Sequence, residues 1–304
     1  MRDMVFLFGA GASYGAGGIL PERPPLGSAL YSELARLYPH SWGALPADAA
    51  IAFKNHFENG MGEVHSRFGG AIPQLMREMA IYFAQFRAVN NSCLYARLLA
   101  DLAKTGTIER TCFSSLNYDC VLDFAIIIAG LQLNYFETAD DLRVPLWKLH
   151  GSCNMFAKDV QASEGVYYGT GVTFEGGVQA FLDSNRIIEH CLVGTALAPV
   201  MSLYMRGKPL NVSPTAIAAI LTMWTQQVIE ARLVVVVGVR PWPDDTHIWG
   251  PLAETNAPLL FVGNAAEVRS WAGASRRGST EVIGARVNEC YDKLMGRIND
   301  HAAD

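Results

Sequence analysis

Two stretches of this chain are apolar without a break and stop on a glycine: Val5-Phe6-Leu7-Phe8 before Gly9, and Leu233 to Val237 before Gly238. Strands covered by helices on both faces lose the in-and-out alternation and read this way, so both runs predict buried parallel strands. Thr111 to Leu116 and Leu259 to Gly263 are weaker runs of the same kind. Each leads to a polar residue, Asn117 or Asn264, suited to the carboxyl end of a strand, where open α/β sheets bind their ligands. Elsewhere apolar residues recur at three-and-four spacing, which predicts helices over Leu75 to Val89, Ser92 to Lys104 and Thr215 to Ala231, the last opening on Ser213-Pro214. Roughly a hundred residues separate the first strand from the Thr111 strand, far more than a crossover needs. Residues 27 to 108 are therefore expected to be a helical insertion, partly a small lid-like subdomain. Residues 151 to 213, rich in glycine and aromatic residues, show no clear period and are expected as a second insertion. From Ser279 on, the pattern reads as one closing helix with a frayed tail. The fold class that follows is α/β, a Rossmann-like parallel sheet flanked by helices with a helical insertion, in a single domain over residues 1–304.

Composition narrows the function. With 304 residues, half of them apolar and 17% charged, the chain can bury a large core. Its net charge of -5 and lack of a basic stripe argue against direct nucleic-acid binding. Arg276-Arg277 is an isolated pair, expected in a solvated surface loop. The cysteines, Cys93, Cys112, Cys120, Cys153, Cys191 and Cys290, never form the close pairs a structural zinc site needs, so no metal is expected and the thiols read as reduced and mostly buried. Met1-Arg2-Asp3 runs straight into the first strand without a basic leader, and the apolar stretches from Val121 to Leu133 and Leu233 to Val239 are too short or broken to span a bilayer. The expectation is a cytoplasmic protein with no membrane contact.

Four segments carry candidate chemistry. Gly9 to Gly18 holds five glycines directly after the first strand. Small residues there let the backbone approach a pyrophosphate, with Ser13 adding a hydroxyl donor. The bland alternative is a tight strand-to-helix turn. Tyr14 stands where a G-x-G-x-x-G motif needs its third glycine, which argues against a hydride-transfer enzyme. Ser115-Leu116-Asn117-Tyr118-Asp119 offers an amide and a carboxylate that can hold a ribose and position a water, though N-x-D alone is more often a cap or turn. Trp147-Lys148-Leu149-His150-Gly151-Ser152 can present an imidazole to a cleft, and histidine suits proton transfer near neutrality, though a lone His-Gly is more often structural. The other six histidines, His247 with some hesitation, read as structural or solvated. Finally Gly238-Val239-Arg240 follows the most strand-like run. There Gly238 permits close ligand approach, Arg240 suits either a phosphate or an acidic neighbour, and Pro243 with Asp244-Asp245-Thr246 reads as a helix start. Asn264 could reach an adenosine ribose.

The order of these motifs resembles the sirtuin-like NAD-consuming family, over the chain from Val5 to Asn264. The P-x-D-D-x-H-I segment looks like its bacterial antiphage-defence branch. That resemblance implies that Gly9, Gly11, Ala12 and Ser13 line the NAD phosphate loop. It implies that Asn117 orders the attacking water with Asp119 beside it, that His150 is the base, and that Gly238, Arg240 and Asn264 serve the adenosine half. The chain departs from deacylating sirtuins in lacking the four-cysteine zinc ribbon, in carrying Gly238-Val239-Arg240 for Gly-Thr-Ser, and in only loosely echoing G-I-P-x-F-R at Leu20 to Pro24. Without a zinc module to deliver an acyl-lysine, water is the natural acceptor. The resemblance therefore implies NAD+ hydrolysis to nicotinamide and ADP-ribose. An NAD-depleting effector must be restrained, which implies homo-oligomerisation or a separately encoded regulatory subunit, an ATPase or a nucleotide-sensing protein. The Met201 to Trp224 stretch is a candidate interface, though core packing explains it as well. The rivals are a deacylase or ADP-ribosyltransferase using the same site, and a non-catalytic module that senses NAD or ADP-ribose.

Overall fold

The computed structural model describes residues 2–136, 143–162, 173–242 and 244–303. The chain starts with β1 (Met4–Phe8), turns into the short helix α1 (Ala10–Gly15), and crosses β2 (Ile19–Leu20) into helices α2 (Gly27–Leu37), α3 (Ala47–Asn55), α4 (Phe57–Phe68) and α5 (Ile72–Phe83). It returns through β3 (Arg87–Ala88), α6 (Leu94–Lys104), β4 (Thr111–Ser115), α7 (Val121–Ile128), β5 (Gln132–Asn134) and β6 (Arg143–Lys148). An antiparallel ribbon, β7 (Met155–Ala162) and β8 (Phe174–Ala180), precedes α8 (Ser184–Glu189) and α9 (Pro214–Glu230). The last part alternates as β9 (Leu233–Val237), α10 (Thr246–Glu254), β10 (Leu259–Val262), α11 (Ala265–Ser275), β11 (Thr280–Gly284) and α12 (Val287–Ala303).

Among the described residues, seven strands form one sheet in the order β11-β10-β9-β1-β4-β6-β5, and every neighbouring pair is parallel. This is the Rossmann-like sheet that the apolar runs predict. Every residue of β1, β4, β9 and β10 is buried. Alternation along the strands assigns the two faces. Phe6 and Phe113 pack with ring centroids 5.4 Å apart, and Phe8 meets Tyr95 of α6 edge-on at 5.1 Å. Ser114 turns to the other face, where its hydroxyl donates to the Phe6 carbonyl at 2.6 Å and accepts from Trp224 Nε1 of α9 at 3.0 Å. From β1 the chain first builds toward β4, β6 and β5, then crosses back to lay β9, β10 and β11 on the other side. The order therefore reverses at the β1–β9 boundary, and such a switch point is where parallel sheets place ligands.

Helices α2 to α5 leave and rejoin the sheet through the two-stranded β2–β3 ladder, in which Ile19 pairs with Ala88 and Leu20 with Arg87. They have an aromatic centre of their own, with Tyr31 stacked on Phe53 at 4.8 Å and Trp42 against both Phe53 and Phe57. Three expectations change. The helix expected over Leu75 to Val89 spans Ile72–Phe83, and Arg87–Ala88 is strand. The segment from Ser279 opens with the edge strand β11 before its helix. Arg276 is no solvated loop residue: its guanidinium bonds carbonyls of Leu252, Thr255, Ala257 and Ser279, and burial lowers its pKa to about 10. Pro243, and the part of 151–213 between residues 163 and 172, lie outside the described residues. No described helix is long and apolar enough to cross a membrane.

Candidate functional site

The loops after β1, β4, β6 and β9 all emerge at the carboxyl edge of the sheet, and they hold most of the residues singled out above. Glycine is required where two of these loops cross. Gly238 has φ of +67°, and a Cβ there would lie 2.1 Å from the Ala12 nitrogen; one at Gly9 would lie 2.7 Å from the Gly238 oxygen. The crossing is sealed by hydrogen bonds from Gly9 N to Val237 O and from Gly11 N to Gly238 O, both 3.0 Å, while Ala12 N donates to Gly9 O at 2.9 Å. The amides of Gly9, Gly11 and Ala12 are thus engaged within the protein, and these glycines serve loop-to-loop contact directly.

Ser13, 1% exposed, is where the first two motifs meet. Asn117 Nδ2 donates to Ser13 Oγ at 2.9 Å and to the Gly9 carbonyl at 3.0 Å. Ser13 Oγ donates to Asp119 Oδ1 at 3.3 Å and lies 3.2 Å from the Tyr95 hydroxyl, which is then the donor to Ser13. With both amide hydrogens of Asn117 committed, its side-chain oxygen is the group left to meet a water or a ribose hydroxyl. Burial raises the Asp119 carboxyl above its ordinary value, against the opposing pull of Lys148.

The same loops rest on an ion pair to which the motifs gave no role, although Lys148 stands in the His150 motif. Lys148 is fully buried at the end of β6, 2.8 Å from Asp123 of α7, and donates to the Asp119 carbonyl at 2.7 Å. Burial is the largest single influence and works against the ammonium, but Asp123 and the groups around it, Asp119 among them, together outweigh it and hold Lys148 above the usual lysine value. Tyr135 donates to the same Asp123 carboxylate and accepts from Asn154 at 2.9 Å. The turn after Lys148 needs its glycine: Gly151 has φ of +70°, and a Cβ there would sit 1.9 Å from the Val200 oxygen. Ser202 N, donating to the His150 carbonyl at 2.8 Å, fixes the backbone of the histidine.

His150 is 5% exposed, and its Nε2 lies 3.0 Å from Nε2 of His247. Burial, then His247 and Lys208, push its pKa well below the usual value, so the ring is neutral at pH 7. His247 belongs to α10, in the segment read from sequence as a helix start; Asp245 occupies the N-cap position there. The residues leading into His247 are tied to other parts of the chain. Trp242 stacks on His56 at 6.0 Å, Asp244 faces Arg206 at 3.5 Å, and Asp245 lies 3.9 Å from Lys208, which also pairs with Glu58 of α4.

The structure thus brings Gly9, Gly11, Ala12, Ser13, Asn117, Asp119 and Gly238 into one connected set, with His150 on the neighbouring loop. Arg240 and Asn264 engage α11 instead. Arg240 pairs with Glu267 at 3.1 Å, and Asn264 caps the helix by accepting from Ala266 N at 3.0 Å. Sequence reasoning gave no role to Tyr95, Lys148, Asp123 and Lys208, and set His247 aside; of these, Lys148 and His247 stood in motifs that could have raised them. Among the described residues no three His, Cys, Asp or Glu side chains gather as a metal site, and the six cysteines are free, five of them buried.

No family model matches the chain, and no curated protein matches it. Solved structures similar to it include a Sir2 in complex with an inhibitor, 2'-O-acetyl-ADP-ribose and a deacetylated p53 peptide, at 14% identity, 99% of this chain, 94% of that chain and a TM-score of 0.45. A Sir2 homologue mutant in complex with ADP-ribose matches at 15% identity, 99% of this chain, 93% of that one and a TM-score of 0.48. A Sir2 homologue–NAD complex matches at 14% identity, 98% and 89% coverage and a TM-score of 0.41.

Proposed function

We propose that this chain is an NAD+ hydrolase, releasing nicotinamide and ADP-ribose, with Asn117, Asp119 and His150 as its working residues. The observation that carries the reading is the tie of Asn117 to both Ser13 and Gly9. It joins the glycine loop of β1 to the N-x-D loop of β4, at the carboxyl edge of the sheet and next to the β1–β9 boundary where the strand order reverses.

Cleaving the bond between ribose and nicotinamide passes through an oxocarbenium-like state. Such a reaction needs the ring held, one nucleophile aligned and little else. Asn117 is prepared for alignment, because its donors are fixed and its acceptor oxygen remains. His150 is prepared to take a proton, because burial keeps the imidazole neutral. Asp119, locked to Ser13 and to the amide of Val121, keeps the Asn117 loop in place. Gly238, and with it Arg240 and Asn264 near α11, would flank the adenosine half. No zinc-ribbon cysteines are in the sequence, which supports water over an acyl-lysine as acceptor. We further infer, from the motif resemblance, a role as an NAD-depleting effector of bacterial antiphage defence, activated by self-association or by a separate regulatory subunit.

The test is to incubate the purified chain with NAD+ and follow nicotinamide and ADP-ribose, beside Asn117→Ala and His150→Ala. Release should fall by about 100-fold or more in each variant. Release that depends on an added acyl-lysine peptide would replace hydrolysis with deacylation. Tight NAD+ binding without turnover, unchanged in His150→Ala, would replace it with a sensing module.

A further inference from the structure

A second imidazole stands at this end of the sheet. His247, in the first turn of α10, faces His150 Nε2 to Nε2 at 3.0 Å. A contact of that kind holds a single hydrogen, carried by one Nε2 and accepted by the other, so the two rings cannot both be imidazolium. The surroundings agree. Burial first, then His247 and Lys208, lowers His150; burial first, then Lys208, lowers His247. Lys208 is itself faced by Glu58 of α4 and by Asp245, and it lies over the Tyr204 ring at 4.9 Å. The two rings differ in their access to water: His150 is 5% exposed, whereas His247 is only half-buried.

We propose that His247 completes the site: it holds the His150 ring through Nε2, leaves Nδ1 as the nitrogen that meets the attacking water, and receives the proton His150 takes up. This rests on the hydrolase reading of the same site. As the water oxygen bonds to the ribose carbon, the carbon–nitrogen bond to nicotinamide breaks, and its electron pair leaves with the now neutral ring. The water proton goes to His150 Nδ1 while the Nε2 proton of His150 crosses to Nε2 of His247. The cation then rests on the half-buried ring, and the fully buried one, where an unpaired charge is most penalised, stays neutral. His247 passes the proton to solvent, and both rings regain their starting tautomers by exchange with water as the product leaves. His247 acts through His150 and is a positioning residue.

The experiment compares the full chain with His247→Ala and His247→Gln, reading nicotinamide release against pH and, separately, the imidazole nitrogen resonances of histidine-labelled protein. In His247→Ala kcat falls at least about tenfold while KM stays within about twofold. Glutamine can still hold Nε2, so it recovers part of the rate. Its acid limb moves to higher pH, because a neighbour that depresses His150 is gone and the base works only when deprotonated. A merely structural residue would not move that limb. Unchanged kcat and an unmoved limb in both variants would overturn the proposal, as would a faster His247→Ala enzyme, which would make the contact a block. In the resonances, one ring should carry its hydrogen at Nδ1 and the other at Nε2, the two titrating together. Independent titration overturns the pairing whatever the reaction. A linked pair in a chain that releases no nicotinamide overturns the hydrolase reading and the proton transfer with it, and leaves the pairing standing.

Discussion

Lys148 keeps its charge with no exposure to solvent, balanced by Asp123 and bonded to the carbonyl of Asp119. Such a pair is weak evidence of net stabilisation, but breaking it leaves a bare buried charge. Lys148→Met should therefore lower unfolding free energy by about 3–5 kcal/mol, and the double variant with Asp123→Leu should recover much of that; denaturant titration of the three chains decides. A second expectation concerns pH. His150 is depressed in the folded chain, so below about pH 6.5 the unfolded chain binds a proton that the folded one refuses. Stability is present above that value and is lost as pH falls toward the folded one. The denaturant midpoint should drop between pH 7 and 5, and drop less in His150→Gln. Comparing the two chains isolates the imidazole from Asp119, whose raised carboxyl acts with the opposite sign. An equal drop in both would contradict the assignment. At this scale the candidate residues were legible where polar groups follow within a few residues of a strand's end, as at Ser13, Asn117, Asp119 and His150. The sequence was opaque where a polar group shares the period of a buried element. Tyr95 reads as one more core position of α6, and Lys148 as an interruption in an apolar strand.

Elements were legible in proportion to how fully they are buried. Runs covered on both faces, β1 and β9, name themselves, whereas β11 at the sheet edge mixes Thr280 and Glu281 with Val282 and Ile283, a pattern that suits a helix start as well. The helix over Ile72–Phe83 stops without a glycine or proline, because the residues beyond it are drawn into pairing with Ile19–Leu20; that tertiary cause leaves no local mark. The glycine crossing between β1 and β9 gives a sharp prediction. Gly238→Ala must place a Cβ in a left-handed backbone and against the Ala12 nitrogen, and should cost about 2 kcal/mol or more. Gly273→Ala, on the exposed surface of α11 with nothing within 4 Å, should instead stabilise by about 0.5–1 kcal/mol. Thermal denaturation of the two variants should move in opposite directions.

For the whole molecule, the class of fold followed from the run lengths, but the place of β6 between β4 and β5 did not, since parallel order is set by crossovers and not by composition. Lys208 draws three parts together: α4 through Glu58, its own segment, and the start of α10 through Asp245. Lys208→Met should speed amide exchange in both α4 and the first turn of α10 at once; faster exchange in one alone would mean that the lysine does not couple them. The β2–β3 ladder bears on the chain's history and its engineering. Because Leu20 and Arg87 face each other across a single rung, a two-residue turn between them would excise the helices without cutting any strand of the main sheet. What such a graft in reverse would uncover is aromatic: Tyr204 loses Phe57, and Tyr118 loses Phe83. The shortened chain would keep the carboxyl edge of its main sheet but gain a sticky surface, so the excised form should need a new partner to stay dispersed.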